Sequence, residues 1–411
     1  MRKYYVFAAA ALVVLAACQK KGNEVENKQS LDTSLTTIPA WLEDESLPVP
    51  IEMGKHGLMA TKGSPILAAD FSDVSFRYSV IALRESDDAV MAGFEGGVLA
   101  RNAAGDVDAA ATGDDLSGNT VVQFVDESGQ DVTKYYPYMY ADGTFNFYGF
   151  RVDGTAPTVT GTSIDGIAMG PNDLLWAKAE AAGADETAAR TGNASVGRDY
   201  ESNGFSARYI RGVRRAYVDG TDQGMQNYVS ALPHLEFAHI TSQLQFFIKA
   251  FDEIAENTLA GASVSVSSIT IGGTDATNYP TASAIAATAN FNIKTGALTQ
   301  ATAGTISVSN IANNFAITEA GARCGDPLFI MPFTGNILLT MELTLPTGDT
   351  QTIKTVLTAP AIPAANVAAG TFAAGYVYKF TVSLESIEKI NIVTTLLPWG
   401  ATVEADPIVI D

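Results

Sequence analysis

The sequence predicts an all-β protein with two tandem antiparallel β-sandwich domains, and three observations lead to this fold class. The chain has 411 residues, enough for about two or three domains. Beyond residue 70, apolar and polar residues alternate over short segments bounded by Gly, Asp, Asn and Pro, as in half-buried strands and their turns. These segments recur at intervals of roughly 8 to 15 residues without amphipathic helices between them, which favours sandwiches over a parallel α/β sheet.

The composition excludes several classes of function. The chain carries 25 Lys and Arg against 45 Asp and Glu, a net charge of -20, so its field repels phosphate backbones and nucleic acid is not an expected partner. Two cysteines and three histidines are too few for a Cys-rich zinc site or a disulfide framework. We therefore expect no metal and no cofactor.

Residues 1–17 are typical of a lipoprotein signal peptide. Arg2 and Lys3 precede a short apolar run, and small residues come directly before Cys18. That run is too short to span a bilayer. Residues 15–18 (LAAC) resemble the lipobox of bacterial lipoproteins, in which the cysteine is diacylglycerated and the signal is cut before it. We expect Cys18 to be the lipid attachment site; the alternative is an ordinary secretory signal with a chance cysteine.

Residues 18–60 are mostly polar and contain the acidic cluster Glu43, Asp44 and Glu45, followed by Pro48 and Pro50. We interpret this stretch as a flexible tether that leads to the first strand. The acidic cluster could instead be an export or partner signal.

The first domain is expected over residues 61–230. Its clearest strands are the alternating runs over residues 74–80 and 145–149. Residues 174–190 (LLWAKAEAAGADETAAR) could hold one or two helical turns, although Gly183 interrupts them. Residues 195–229 alternate poorly, so we place the domain boundary near their end, at about residue 230.

That poorly alternating stretch holds the basic cluster of the chain, which consists of Arg208, Arg211, Arg214 and Arg215. Tyrosines lie among these arginines, so the cluster could bind an anionic glycan or a partner subunit. The alternative is a solvated loop between the domains that balances a very acidic protein.

The second domain is expected over residues 231–411. Alternation predicts strands over residues 244–248 and 376–384. Residues 339–345 and 353–357 flank the polar turn Pro346-Thr347-Gly348-Asp349, which predicts a β-hairpin.

Motifs that could carry catalysis do not assemble into a known pattern. Ser386 and Lys389 match S-x-x-K, and residues 294–296 match K-T-G, two signatures of penicillin-recognising enzymes. Their order along the chain is reversed, and S-D-N is absent. His234 and His239 lack a third donor at metal-ligand spacing. We expect a protein that is not an enzyme; a hydrolase would need clustered carboxylates brought together by the fold.

Several segments together resemble the fimbrillin family, the lipoprotein precursors of type V pilus subunits in Gram-negative gut and oral anaerobes. The segments that carry the resemblance are YYP at 135–137 with FNFYGF at 145–150, NDLLWA at 172–177, LEFAHITSQLQF at 235–246, and FAAGYVYKF at 372–380 with PWG at 398–400. Each segment alone is weak, whereas their order and spacing over residues 60–400 are more specific.

The resemblance implies two transthyretin-like sandwich domains, export as an outer-membrane lipoprotein to the cell surface, and removal of an N-terminal segment by a trypsin-like protease. Assembly would follow by donor-strand exchange with other pilus subunits of the same or another kind, and the pilus could contact a host or bacterial surface ligand. The candidate cleavage sites are Lys62 and, failing that, Arg77. Residues 19–21 (QKK) depart from the acidic run common on surface-exported lipoproteins of these bacteria.

The donor strand is expected within residues 390–411, most specifically at Ile408, Val409 and Ile410. This apolar run either pairs at an edge of its own second domain or inserts into the next subunit. A different class of function is also open, that of a surface glycan-binding lipoprotein that never polymerises. An exposed flat aromatic platform would favour glycan binding, whereas a removable first strand and an unpaired last strand would favour a pilus.

Overall fold

The structure is a computed structural model that describes residues 38–56, 77–102, 120–137, 143–153, 158–179, 204–218, 232–261, 263–313, 315–387 and 389–397. Its three α-helices are α1 (Ala40–Glu43), α2 (Ala207–Val218) and α3 (Glu253–Gly261), and a 3-10 helix covers Pro363–Ala365. The strands that precede α2 are β1 (Gly54–His56), β2 (Arg77–Arg84), β3 (Val98–Asn102), β4 (Thr120–Phe124), β5 (Phe145–Val152), β6 (Val159–Thr160), β7 (Ser163–Ala168) and β8 (Leu174–Ala179).

The strands that follow α2 belong mostly to the second half of the chain. They are β9 (His234–Glu236), β10 (Ala238–His239), β11 (Ser242–Ala250), β12 (Ser265–Gly272), β13 (Ile285–Asn292), β14 (Leu298–Ser307), β15 (Phe315–Ala316), β16 (Ala322–Arg323), β17 (Leu328–Ile330), β18 (Phe333–Thr334), β19 (Ile337–Thr344), β20 (Thr350–Leu357), β21 (Thr371–Phe372), β22 (Val377–Leu384) and β23 (Ile390–Leu397). The predicted all-β class is confirmed.

The first sheet has eight strands in the order β10-β8-β5-β2-β3-β4-β1-β9. Its pairs are antiparallel except for β1 with β9, which is parallel. The strands at its two ends, β9 and β10, are neighbours in the chain, so residues 234–239 connect the two ends of the sheet. Tyr78 and Phe237 pack edge to face there, with ring centroids 4.9 Å apart.

The second half of the chain contributes most strands of two further sheets that pack on each other. One has the order β16-β11-β22-β23, with β17 also paired to β11, and the other has the order β20-β19-β12-β14-β13-β7-β6, with β15 paired to β12. Phe246 and Phe380 stack in the core with centroids 5.7 Å apart. The predicted hairpin is confirmed, since β19 and β20 pair from Ile337↔Leu357 to Thr344↔Thr350.

Strand β2 belongs to two cores at once, because its successive side chains point to opposite faces. Val80 and Ala82 lie in one hydrophobic cluster with the remainder of the first domain. Ile81 and Leu83 lie in the cluster that also contains the core of the second domain. The first sheet is therefore covered by apolar side chains on both faces, which explains why β2 is buried almost continuously.

The prediction of helical turns after residue 174 is wrong over the described residues, because Leu174–Ala179 is strand β8. Leu175 and Ala177 point into the core of the first domain, and Leu174 points into the core shared with the second. Burial on two faces gives an almost continuous apolar run without the period of two, so the sequence resembles that of a helix. Residues 180–190 lie outside the described residues.

Hydrogen bonds and an inserted hairpin join the two domains. Strands β6 and β7, which come from the first half of the chain, extend the second domain's sheet by pairing β7 with β13. Trp176 donates its indole N–H to the carbonyl of Ile293 at 2.6 Å, and Lys294 pairs with Asp88 at 2.7 Å. Strands β9 and β10 still belong to the first sheet, so the chain passes to the second domain between His239 and Ser242, after the boundary expected at residue 230.

A buried polar cluster lies at this crossing point. Asp173 Oδ2 lies 2.8 Å from His239 Nδ1, and Asp173 Oδ1 accepts the hydroxyl hydrogen of Thr241 at 2.8 Å. All three residues are buried. Because buried polar groups cost stability unless they are hydrogen-bonded, this cluster fixes how the last strand of the first sheet enters the second domain.

Within the described residues, no helix has both the length and the apolar character needed to cross a bilayer.

The packing of Gly296 against Trp176 gives a test of the domain junction. Gly296 has a φ of +72°, and a Cβ added there would lie 2.6 Å from the Trp176 ring, whereas Gly348 has a φ of +82° with no atom within 4 Å of its added Cβ. Gly348→Ala should cost about 1–2 kcal/mol of unfolding free energy from backbone strain alone. Gly296→Ala should cost about 1–3 kcal/mol more, because the indole must move. Chemical denaturation of the two variants measures this difference. Equal losses of unfolding free energy would contradict the packing of Gly296 against Trp176.

Candidate functional site

Residues 38–56 form part of the first domain, so the expectation of a flexible tether to residue 60 is wrong for this stretch. Val49, Ile51 and Met53 are all buried in the core of the first domain. They alternate with Pro50 and Glu52, which is the period-two pattern of a strand. The two prolines and the acidic cluster made the stretch resemble a linker, although a proline is tolerated where its missing N–H is not needed by the sheet.

Backbone hydrogen bonds hold this segment along its length. The amide of Ile51 donates to the carbonyl of Lys134 at 2.8 Å, and the amide of Val122 donates to the carbonyl of Met53 at 3.0 Å. Further along, β1 pairs antiparallel with β4 and parallel with β9, with Gly54 opposite both Val121 and His234. The segment therefore ends in a strand that lies between two others.

Helix α2 holds the beginning of the same segment through two arginines. Arg211 donates to the carbonyls of Asp44 at 3.4 Å, Glu45 at 3.3 Å and Leu47 at 2.5 Å. Arg215 donates to the carbonyl of Leu42 at 2.8 Å. We use the name arginine clamp for Arg211, Arg215 and the four carbonyls that they bind.

Over the described residues 204–218, the arginine clamp corrects the alternative that placed these arginines in a solvated loop. Residues 207–218 are helical, and Arg211 and Arg214 are only 6% and 1% exposed. The guanidinium of Arg211 lies over the Trp41 ring, 5.9 Å from its centroid. Burial of a charged group is tolerated only when it is paired or hydrogen-bonded, and carbonyl acceptors of the N-terminal segment meet this need for Arg211.

Two side chains near the clamp have shifted pKa values. Hydrogen bonds from the hydroxyl and amide of Ser46 lower the pKa of Asp44, which fixes the turn that presents the carbonyls. Burial raises the pKa of Tyr136 well above its ordinary value. A small cleft of about 100 Å³ lies between Tyr136, Arg211 and residues 45–49.

The structure describes some of the predicted processing and donor residues. Arg77 is the first residue of β2 and is paired opposite Arg101, and its carbonyl accepts a hydrogen bond from Arg151 at 3.2 Å. Ile390–Leu397 forms β23, which pairs with β22 over its whole length and is an edge strand within the described part of the chain. Cys18, Lys62, Ile408, Val409 and Ile410 lie outside the described residues.

The candidate catalytic motifs remain apart. Lys294 pairs with Asp88 in a turn, while Lys389 pairs with Glu385 at the β22–β23 turn. In the buried cluster, the carboxylate of Asp173 lies between a hydroxyl and an imidazole, whereas a nucleophile triad needs the imidazole in the middle. Among the described residues, no group of three or more His, Cys, Asp or Glu side chains could hold a metal ion.

Cys324 is buried, and desolvation raises the pKa of its thiol to about 12. A thiol with a raised pKa is almost entirely protonated at neutral pH and is a poor nucleophile.

Similarity searches return structures but no sequence family. A candidate cell adhesion protein from Bacteroides uniformis is 15% identical, with a TM-score of 0.43 over 88% of this chain and 100% of the other. A candidate cell adhesion protein from Bacteroides ovatus is 13% identical, with a TM-score of 0.41 over 87% of this chain and 99% of the other. The fimbrial anchor protein Mfa2 from Porphyromonas gingivalis is 8% identical, with a TM-score of 0.31 over 86% of this chain and 98% of the other. No protein-family model and no curated protein sequence matches the chain.

Substitution in the N-terminal segment tests whether it belongs to the core. Met53→Ala should lower the free energy of unfolding by about 2–5 kcal/mol, because it removes a fully buried side chain and leaves a cavity. Ile38→Ala is the matched control in the same segment, since Ile38 is 45% exposed and should change stability by no more than about 0.5 kcal/mol. Denaturant unfolding measures the stability of both variants. If the denaturation midpoint of Met53→Ala equals that of the wild type, residues 49–53 are not part of the core.

Proposed function

We propose that this protein is a non-enzymatic surface lipoprotein that acts as a fimbrillin-like pilus subunit, assembled by protease-triggered donor-strand exchange. The observation that carries this proposal is the place of β1, which lies between β4 and β9 in the first sheet. Because β1 precedes the candidate cleavage site, a cut there would separate this strand covalently from the sheet that it completes.

Loss of β1 would leave a gap with unpaired strand edges on both sides. The facing edges of β4 and β9 would then offer backbone donors and acceptors to an extended strand from another subunit. The side chains of Val49, Ile51 and Met53 would leave apolar space along the same line. An incoming strand with alternating apolar residues would pair with these two edges and fill this apolar space.

Of the two candidate cleavage sites, Lys62 fits this mechanism better. It lies between the end of β1 and the start of β2, whereas Arg77 is paired within β2. A protease must bind the backbone of its substrate, so a residue whose strand is already paired in a sheet is a poor site. Cleavage at Lys62 would also break the covalent link between the proposed lipid on Cys18 and the part of the chain that follows the cut.

The proposed donor is the apolar run Ile408, Val409 and Ile410. Strand β23 already pairs with β22 in its own domain, so a donor would have to come from residues after Leu397. The partners under this proposal are other pilus subunits, the outer membrane through the lipid, and a ligand on a host or bacterial surface.

The glycan-binding alternative has less support from the described residues. Tyr135 and Phe251 are the aromatic side chains most exposed there, at 48% and 47%, and they lie in different domains. A flat platform needs neighbouring aromatic rings, and the described part of the chain does not offer one.

Cleavage at Lys62 should be required for polymerisation. Treatment with a trypsin-like protease should cut the wild-type protein and yield a ladder on unboiled gels, whereas Lys62→Gln should remain uncut at this position and monomeric. Arg77→Gln is the matched control and should polymerise like the wild type. Uncut protein that polymerises as readily as cut protein would contradict the mechanism.

Truncation after Ala401 should separate folding from assembly. This truncation keeps β23 and removes the proposed donor, so the unfolding temperature should change by no more than about 2 °C while polymers disappear. Calorimetry and unboiled gels give the two readouts. A truncated protein that unfolds many degrees lower would show that the segment stabilises its own domain.

A further inference from the structure

The proposed cut at Lys62 does not by itself remove the N-terminal segment, because three sets of contacts hold it to the folded domain. The first is the pairing of β1 with β4 and β9. The second is the burial of Val49, Ile51 and Met53. The third is the arginine clamp on residues 42–47.

We propose that the arginine clamp is a latch that retains the cleaved N-terminal segment, so that release of this segment, and not the cut, is the slow step before strand exchange. This proposal rests on the proposed function in one respect, which is that the chain is cut between β1 and β2. Arg211 and Arg215 are therefore positioning residues for assembly.

The geometry of the acceptors supports this role. Helix α1 has only four residues, and the carbonyls at the end of a helix have no partner within it. Arg215 binds the carbonyl of Leu42 in that helix, and Arg211 binds the carbonyls that follow it. A guanidinium presents several donors in a fixed planar arrangement, so one side chain can bind several carbonyls at once.

The order of events along the chain gives the clamp its effect. A cut at Lys62 creates a free end next to β1, so an incoming strand would displace β1 first, then the residues around Met53, and the clamp last. Until the clamp opens, the segment would remain attached through residues 42–47. Because charge-assisted hydrogen bonds are stronger than neutral ones, this last contact should open slowly.

The test follows retention of the cleaved segment and does not depend on polymers. The full chain carries a specific protease site in place of residues 60–65 and a fluorophore on the N-terminal segment. After the cut, size-exclusion chromatography over time measures the fraction of segment still bound. A chain that never polymerises still gives this readout, so failure of the pilus proposal and failure of the latch are distinguishable.

The wild type should retain the segment through chromatography, and Arg211→Gln with Arg215→Gln should release it about 10- to 100-fold faster. Arg101→Gln is the matched control, because Arg101 pairs with Asp131 at 2.6 Å on a strand whose sheet partners are β2 and β4 and not β1. The release rate of the Arg211→Lys, Arg215→Lys variant should lie between those of the wild type and the double Gln variant, since lysine keeps the charge but loses the planar donors.

A second variant covers the case in which the double variant does not fold. Deletion of residues 18–47 removes the four carbonyls and keeps both arginines and β1, so it should release the segment as fast as the double variant. The latch is overturned if the double variant or the deletion releases the segment at the wild-type rate. It is also overturned if the cut wild type loses the segment immediately.

Discussion

The first sheet depends on a strand that the chain supplies before the rest of the sheet. Strand β1 has three residues, yet it is the neighbour of both β4 and β9 in the strand order. Strand β9 continues through Phe237 into β10, which pairs with β8 at the other end of the sheet. Leu235 and Phe237 of this stretch are fully buried, and β1 pairs with the strand that begins it. Any process that withdraws β1 must open the first domain.

Alternation along the sequence predicted several strands that have one buried and one partly exposed face. Strands β11, β19 and β22 have this pattern in the structure, as their alternating burial shows. Strand β8 escaped prediction because its first four residues are apolar on both faces, which hides the period of two. Strand β7 pairs across domains with β13, and no local pattern records a partner that is more than 100 residues away.

The candidate site was harder to predict than the fold, for reasons that concern single residues. Pro48 and Pro50 are typical of a linker, so the alternation of the buried residues Val49, Ile51 and Met53 was not interpreted as a strand. The arginines of α2 concealed a helix that packs on the core, because Arg211 and Arg214 are charged residues in buried positions. Charged side chains are almost never buried without partners, so the pattern of residue types pointed to solvent. The partners of Arg211 are backbone carbonyls, which a sequence does not display.

The two domains behave as one packed unit in the described residues. The hairpin β6–β7 adds two strands to the second domain's sheet, and Phe150 packs against Phe291 with ring centroids 6.1 Å apart. The buried cluster around Asp173 joins β8, β10 and the start of β11. Separation of the domains would therefore break strand pairing, aromatic packing and buried hydrogen bonds together.

Hydrogen–deuterium exchange of the intact, uncut chain tests the central claim most directly, because it reports whether residues 48–56 form an interior strand. Amides that are hydrogen-bonded within a stable sheet exchange only when the sheet opens. We expect the amides of Ile51 and of β1 to exchange as slowly as those of β4 and β5. If residues 48–56 exchange at the rate of an unstructured peptide while β4 and β5 remain protected, the segment is not part of the sheet and the account is contradicted.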